Sequence, residues 1–433
     1  NINSPHNCAQ RSSLCIEIEK MPSATNTNND HGRNEMTVCT PATKTLAAQF
    51  TKRDLMLYAL GIGCCNGNNS EDGFGGELRF VYEHHPKFAP FPTFLLALSF
   101  TAERPSEGLQ SSFGIRPFPP ESMINDRGDG SNCGILPKEF FKNQGDMEDI
   151  QKLPILHISQ SLILHDNIKF HTQLGMIDPP TPVVVQARIL SIKPRNIGTF
   201  VTSETKYYQG TGASHGDGRG ICIATAQMVA LILGLDPDSV VPLEASTDNQ
   251  NEAKSRKAQY QKQESPVLRD SPTSANQLEY KGKTVLQYRT STNAALLYRL
   301  SGDYNPIHVE GDLLSLENGN SGENTQEGGA VLHGLCTMGY AVRAVLRHAD
   351  HHHTNKHLDV EVGLASVRCN FVKPVYVGDI LCVDVWDGKD GARHDETGYD
   401  VCFRVYRGVG RAGSGGNPSD TKKRSDVVVD KGK

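Results

Sequence analysis

A fixed bend at residues 303–308 constrains this chain more than any other short stretch. Residues 291–301 read as a helix opened by a Ser/Thr cap and stopped by Gly302. Pro306 cannot continue that helix, and Asn305 before it is biased towards an extended shape. Asp303 and His308 therefore flank a bend rather than ride a mobile loop. A carboxylate and an imidazole held this close can position one water and move its protons. Asn305 fits a supporting place, orienting the pair or the water.

Around the bend, the runs of apolar residues repeat one plan twice. In the first half, Leu46, Phe50, Leu55, Leu57, Tyr58 and Leu60 suggest a helix over 45–61. A short apolar run, 91–100, ends before Pro105. Strand patterns follow at 154–164, 183–192 and 199–207, and 221–233 runs apolar beyond them. In the second half, a strand at 285–288 precedes the capped helix and the bend. A long helix at 335–346 and strands at 364–372, 380–386 and 401–406 come after it. Strands gathered around one helix per half predict an α+β fold. The domains are then 41–240 and 281–407. Residues 1–40, rich in Asn, Ser and Thr, read as a disordered segment. Residues 241–280 read as a linker or insertion, 317–328 as a polar insertion and 408–433 as a flexible tail.

Composition narrows the function classes. The net charge of −5 gives no overall basic field to draw nucleic acid. No run of about 18 apolar residues offers a membrane span. Eleven cysteines, an odd count without a CxxC pair, read as reduced thiols rather than a disulfide framework. Three further signals carry no function. The glycine-rich 210–216 has the wrong spacing for a phosphate loop and lies between strands. His348 and the histidines 351–353 lack a second ligand cluster and read as a polar loop, so no metal is expected. The run 254–262 is a mixed-charge solvated segment.

Longer motifs point to a family. The stretch Tyr298-Arg-Leu-Ser-Gly-Asp-Tyr-Asn-Pro-Ile-His308 resembles the signature of the MaoC-like, hydratase 2 family. Val331-Leu-His-Gly-Leu-Cys-Thr-Met-Gly339 and Val367-Arg-Cys-Asn-Phe-Val-Lys-Pro-Val-Tyr-Val-Gly-Asp379 resemble the blocks that follow it. Arg53–Gly63, Leu78–Glu83 and Phe91–Phe94 are similar to the first half of the same proteins. The resemblance covers roughly 41–240 and 281–407. It implies a double hot-dog fold, two curled antiparallel sheets each around a central helix. It also implies (3R)-specific hydration of 2-enoyl-CoA in fatty-acid metabolism, with coenzyme A as part of the substrate and no separate cofactor.

The resemblance assigns residues too. Asp303 and His308 become the acid–base pair with Asn305 beside them. Gly334 contacts the thioester carbonyl, and Phe371 lines the substrate site. His165, Asp166 and Arg195 match positions that touch the coenzyme. The first half, which lacks the Asp/His motif, is expected to hold the acyl chain. Relatives of this kind imply a peroxisomal setting, although the final Lys-Gly-Lys is not a Ser-Lys-Leu type address. Hot-dog sheets commonly pair, which makes a homodimer the expected assembly. The rival functions are a hot-dog acyl-CoA thioesterase and a non-catalytic acyl-CoA-binding protein.

Overall fold

The computed structural model describes residues 43–66, 76–103, 153–165, 180–209, 220–244, 283–310, 330–352, 363–387, 400–408 and 427–432, with 118, 120, 122–123, 136 and 140–142 between them. The segments 1–40, 210–216, 254–262 and 317–328, Asp166, and all but four residues of 241–280 lie outside these.

In the first half, β1 (Lys44–Phe50) leads into helix α1 (Lys52–Gly61), and a second short helix, α2 (Leu95–Thr101), follows. Four strands come next: β2 (Ile155–Leu164), β3 (Thr181–Arg195), β4 (Gly198–Gln209) and β5 (Ile221–Leu233). A two-residue strand, β6 (Leu243–Glu244), adds to β3. The second half runs β7 (Thr284–Arg289), α3 (Ala294–Tyr298), α4 (Gly334–His352), β8 (Ser366–Phe371), β9 (Ile380–Asp387), β10 (Val401–Gly408) and β11 (Val427–Gly432).

All main strands join one antiparallel sheet in the order β1-β3-β4-β5-β2-β8-β11-β10-β9-β7. The order is its own repeat. The first five positions follow the scheme first, third, fourth, fifth, second strand. The last five, read from the far edge, follow the same scheme. The halves meet where β2 pairs with β8, from Ser159 opposite Asn370 to Ile163 opposite Ser366. One apolar core runs through both halves. The described residues thus show the double hot-dog arrangement. Among the described residues no helix is long and apolar enough to cross a membrane.

Two sequence expectations give way here. The helix expected over 45–61 is a strand and then a helix. Leu46, Ala48 and Phe50 are all buried, a period of two that only a strand satisfies. Thr51 then starts α1, its N–H and hydroxyl both donating to the Asp54 carboxylate at 2.8 Å. The expected tail 408–433 contains β11, which pairs with β10 and β8. The scheme of the first half requires it, since β11 stands where β5 stands there. Val428 and Val429 are almost fully buried. Val429→Ala should therefore lower the unfolding free energy by about 1.5 kcal/mol in urea titration, the value of two buried methyl groups. A change within about 0.5 kcal/mol, as at a free surface position, would contradict this placement.

The two central helices differ. Helix α4 has 19 residues and is buried along most of its length, whereas α2 has seven. His348, read from sequence as part of a polar loop, lies on α4 and is fully buried. It bonds the Thr284 hydroxyl at 2.8 Å and the Asp387 carboxylate at 3.3 Å. The seven described cysteines are all free thiols, with Cys369 buried and Cys222, Cys382 and Cys402 half-buried.

Candidate active site

The bend forms as its residue types demand. Helix α3 tightens into a 3₁₀ turn at Arg299–Ser301, and Gly302 ends it with φ 123°. A side chain at 302 would meet Thr101 at 2.7 Å, so glycine also lets the bend sit against the end of α2. Asn305 takes the extended conformation expected before proline. Its side-chain oxygen accepts the Ile307 N–H at 3.2 Å, capping the turn Pro306–His308.

Asp303 and His308 come together on this frame. His308 Nδ1 lies 2.8 Å from the Val331 carbonyl. A carbonyl only accepts, so Nδ1 carries the hydrogen and Nε2 keeps its lone pair. Val331 is pinned in turn by a β-bridge to Tyr376. Asp303 Oδ1 accepts the Asn305 N–H at 3.3 Å. Removal from water pushes the Asp303 carboxyl up to about 7, with the Asn305 N–H and the Arg299 charge opposing the rise. The same desolvation pulls His308 down to about 4 against the hydrogen bond to Val331. Both side chains are half-buried, so the pair keeps an opening for substrate.

His333 completes the cluster, a residue that the sequence did not single out. Its ring stacks on His308 with centroids 3.6 Å apart and planes at 25°. Its Nε2 donates to the Asp303 carbonyl at 3.1 Å, and it is 1 % exposed. Burial and the neighbouring His308 hold it well below the usual histidine range. A ligating atom from each of Asp303, His308 and His333 falls within 4.8 Å of the others.

Gly334, the next residue, opens α4. The first N–H groups of a helix lack partners within it and carry the positive end of its dipole. A side chain at 334 would touch the Phe371 ring at 3.4 Å, so glycine leaves the space over this amide clear. Phe371 ends β8 and meets His157 of β2 edge-on at 4.8 Å.

The structure brings His157 to this site and not His165. His165 is exposed and bonds Thr225 at 3.1 Å. It lies eight residues beyond His157, just past the end of β2, roughly 26 Å along an extended chain. The matched position Asp166 is outside the described residues. His157 is held down to about 4 by burial, and His308 is among its electrostatic neighbours. A bulge between His157 and Ser159 turns it to the face shared by Gln160 and Leu162. Simple alternation along β2 would point it outwards, so nothing in the sequence marked it. Arg195 ends β3, beside the β3–β4 turn, at the same end of the sheet as His157. Matching register across β5 and β4 sets Leu156 level with Lys193. Three strand spacings separate them, roughly 14 Å. Arg195, Lys193 and Lys142 line a surface pocket of about 300 Å³.

Known proteins share the domain order and the fold. Residues 273–401 match the MaoC like domain and residues 48–122 the MFE-2 hydratase 2 N-terminal domain. The peroxisomal multifunctional enzyme type 2 of Drosophila melanogaster is 26 % identical over 83 % of this chain, which spans only 46 % of the fly protein's length. The peroxisomal enoyl-CoA hydratase 2 of Arabidopsis thaliana is 23 % identical over 78 % of this chain and 82 % of its own. A MaoC-like dehydratase from Phytophthora capsici shares the fold, with a TM-score of 0.54 and 21 % identity over 92 % of this chain and 96 % of that one. Both domain types are thus present in order on the double hot-dog sheet, and residues 48–122 and 273–401 resemble the two domains of MaoC-like, hydratase 2 proteins.

Proposed function

We propose that this protein hydrates trans-2-enoyl-CoA reversibly to (3R)-3-hydroxyacyl-CoA. The observation that carries the reading is that a ring nitrogen of His308 and a carboxyl oxygen of Asp303 lie within 4.8 Å of each other, beside the helix start at Gly334. The enoyl thioester lies with its carbonyl at the Gly334 amide, where the N–H and the helix dipole stabilise the oxygen as it gains enolate charge. His308 Nε2 takes a proton from the water as its oxygen attacks Cβ. Asp303, held protonated by its dry surroundings, gives its proton to Cα. His308 and Asp303 end as imidazolium and carboxylate, and proton transfer between them restores both. Asn305 and His333 fix the bend through the turn cap and the Asp303 carbonyl. The cations Lys142, Lys193 and Arg195 suit the phosphates of coenzyme A.

These protonation states set the pH profile. His308 is neutral above about 4 and Asp303 is protonated below about 7. kcat/KM for hydration should be level between those values and fall about tenfold per pH unit above them. A rate that rises through 7 would instead make the Asp303 carboxylate the base.

The experiment for the reaction itself is crotonyl-CoA hydration in D₂O, with chiral analysis at C3 and NMR assignment of deuterium at C2. Both groups sit on one bend and face one side of the substrate, so addition should be syn and the alcohol 3R. A 3S product, or release of free thiol as from a thioesterase, would overturn the assignment.

A metal-assisted hydration is the second reading, because Asp303, His308 and His333 offer three ligand atoms close together. Their geometry disfavours it. A bound ion lies in the plane of each imidazole it joins, and rings stacked face to face cannot both direct a lone pair at one point. Dialysis against a chelator should leave turnover unchanged; loss restored by zinc would favour this second route. The fly and plant relatives are named as peroxisomal, and we place this protein's work in the same fatty-acid chemistry.

A further inference from the structure

A narrow cavity of about 40 Å³ lies in the first half, between α2 and the sheet, and Leu335, the residue after Gly334, is part of its lining. Its walls are unusually polar for a place where an acyl chain would lie. Ser203, Thr205 and Tyr207 alternate along β4 and so share the face turned towards α2. Ser99 of α2 and Gln160 of β2 join them. Some of these groups are already satisfied. The Ser99 hydroxyl donates to the Leu96 carbonyl at 2.8 Å, and Tyr207 bonds Ser99. The Gln160 amide nitrogen donates to the Ser161 and Gln227 carbonyls at 2.9 and 3.1 Å. Ser203 and Thr205 make no side-chain hydrogen bond among the described residues.

We propose that this cavity selects acyl chains bearing a hydroxyl or oxo group on the tail, which Ser203 and Thr205 hydrogen-bond. An unbranched chain of methylene groups would cover both hydroxyls and replace their water with nothing. A chain oxygen placed there gives each a partner. A neutral hydrogen bond that forms in place of an unmet group discriminates clearly between otherwise equal ligands. The inference rests on the hydratase reading for the position of the thioester, and on the cavity alone for the chemistry of the tail.

The test compares trans-2-decenoyl-CoA with its monohydroxy analogues, the hydroxyl moved one carbon at a time along the tail. At the best position kcat/KM should exceed that of the plain chain by about 3- to 10-fold. The double variant Ser203→Ala, Thr205→Val should bring that ratio to about 1 or below. Preference for the plain chain at every position, or a ratio that the double variant leaves unchanged, overturns the proposal. Crotonyl-CoA, too short to reach the hydroxyls, separates the two ideas. If neither it nor the longer esters are hydrated, the hydratase reading fails. Calorimetry with saturated decanoyl-CoA and its hydroxy analogues then reads the cavity directly, and equal affinities would end the proposal.

Discussion

Asp303→Asn and His308→Gln should each lower kcat for crotonyl-CoA hydration by about 10²- to 10⁴-fold, the usual worth of a general acid or base. Both substitutions keep the size of the side chain and remove its ability to exchange a proton. The bend should survive them, because Gly302, the Asn305 cap and the His333 bond to the Asp303 backbone do not depend on either changed group. Circular dichroism and substrate affinity should stay close to those of the parent protein. In the proposed mechanism the two groups serve one addition step, so the double variant should be barely slower than either single one. Retention of more than about half the activity in either single variant would remove the pair from the mechanism. Multiplicative losses in the double variant would show that the two act in separate steps.

Loss of the Arg343 charge should cost about 3–5 kcal/mol of stability, the range for breaking a buried ion pair. Arg343 lies mid-way along α4 and is 2 % exposed. It reaches out of the second half to grip the first. Its Nε and one terminal nitrogen bond the two Glu77 oxygens at 2.8 Å each, and the other bonds the Ile62 carbonyl at 3.1 Å. Tyr288 and Tyr340 present their rings to its guanidinium at 4.6 and 5.3 Å. Glu77 also accepts the Cys65 N–H at 2.8 Å and lies 3.4 Å from Arg347. Arg343→Met would leave the buried Glu77 carboxylate with these weaker partners. Urea unfolding should show the loss directly. Adding Glu77→Leu should return much of it, because the second substitution removes the stranded charge. A single variant that loses less than about 1 kcal/mol, or a double variant weaker than the single, would contradict this account.

Where local chemistry decides, the sequence was legible. The cap, the glycine stop and the proline at 306 set the bend, and the bend sets Asp303 and His308 near one another. Strands β3, β4, β9 and β10 are marked by their own apolar patterns. What stayed hidden depends on partners far along the chain. Residues 45–50 carry apolar side chains that suit either a helix or a strand until β3 is there to pair with them. β11 is a short valine run behind a polar stretch, and it becomes a strand only in the slot between β8 and β10. His157 owes its place to a bulge, and His333 owes its significance to the ring it stacks on. Glu77 and Arg343 are separated by 266 residues, and each alone reads as an ordinary surface charge.

The pairing of β2 with β8 also has a temporal side. The five strands of the first half are complete once β5 has been made, but β2 remains an open edge until β8 arrives. About 130 residues lie between β5 and β8, which at ribosomal speed is a wait of roughly 7–26 s. During that interval a newly made first half displays an unpaired edge of the kind that recruits other chains. The second half has the converse difficulty: β8 and β10 are made before the strand that lies between them. Synthesis paused after β10 should therefore leave a protease-sensitive second half beside a protected first half, with protection spreading only when residues 427–432 clear the exit tunnel.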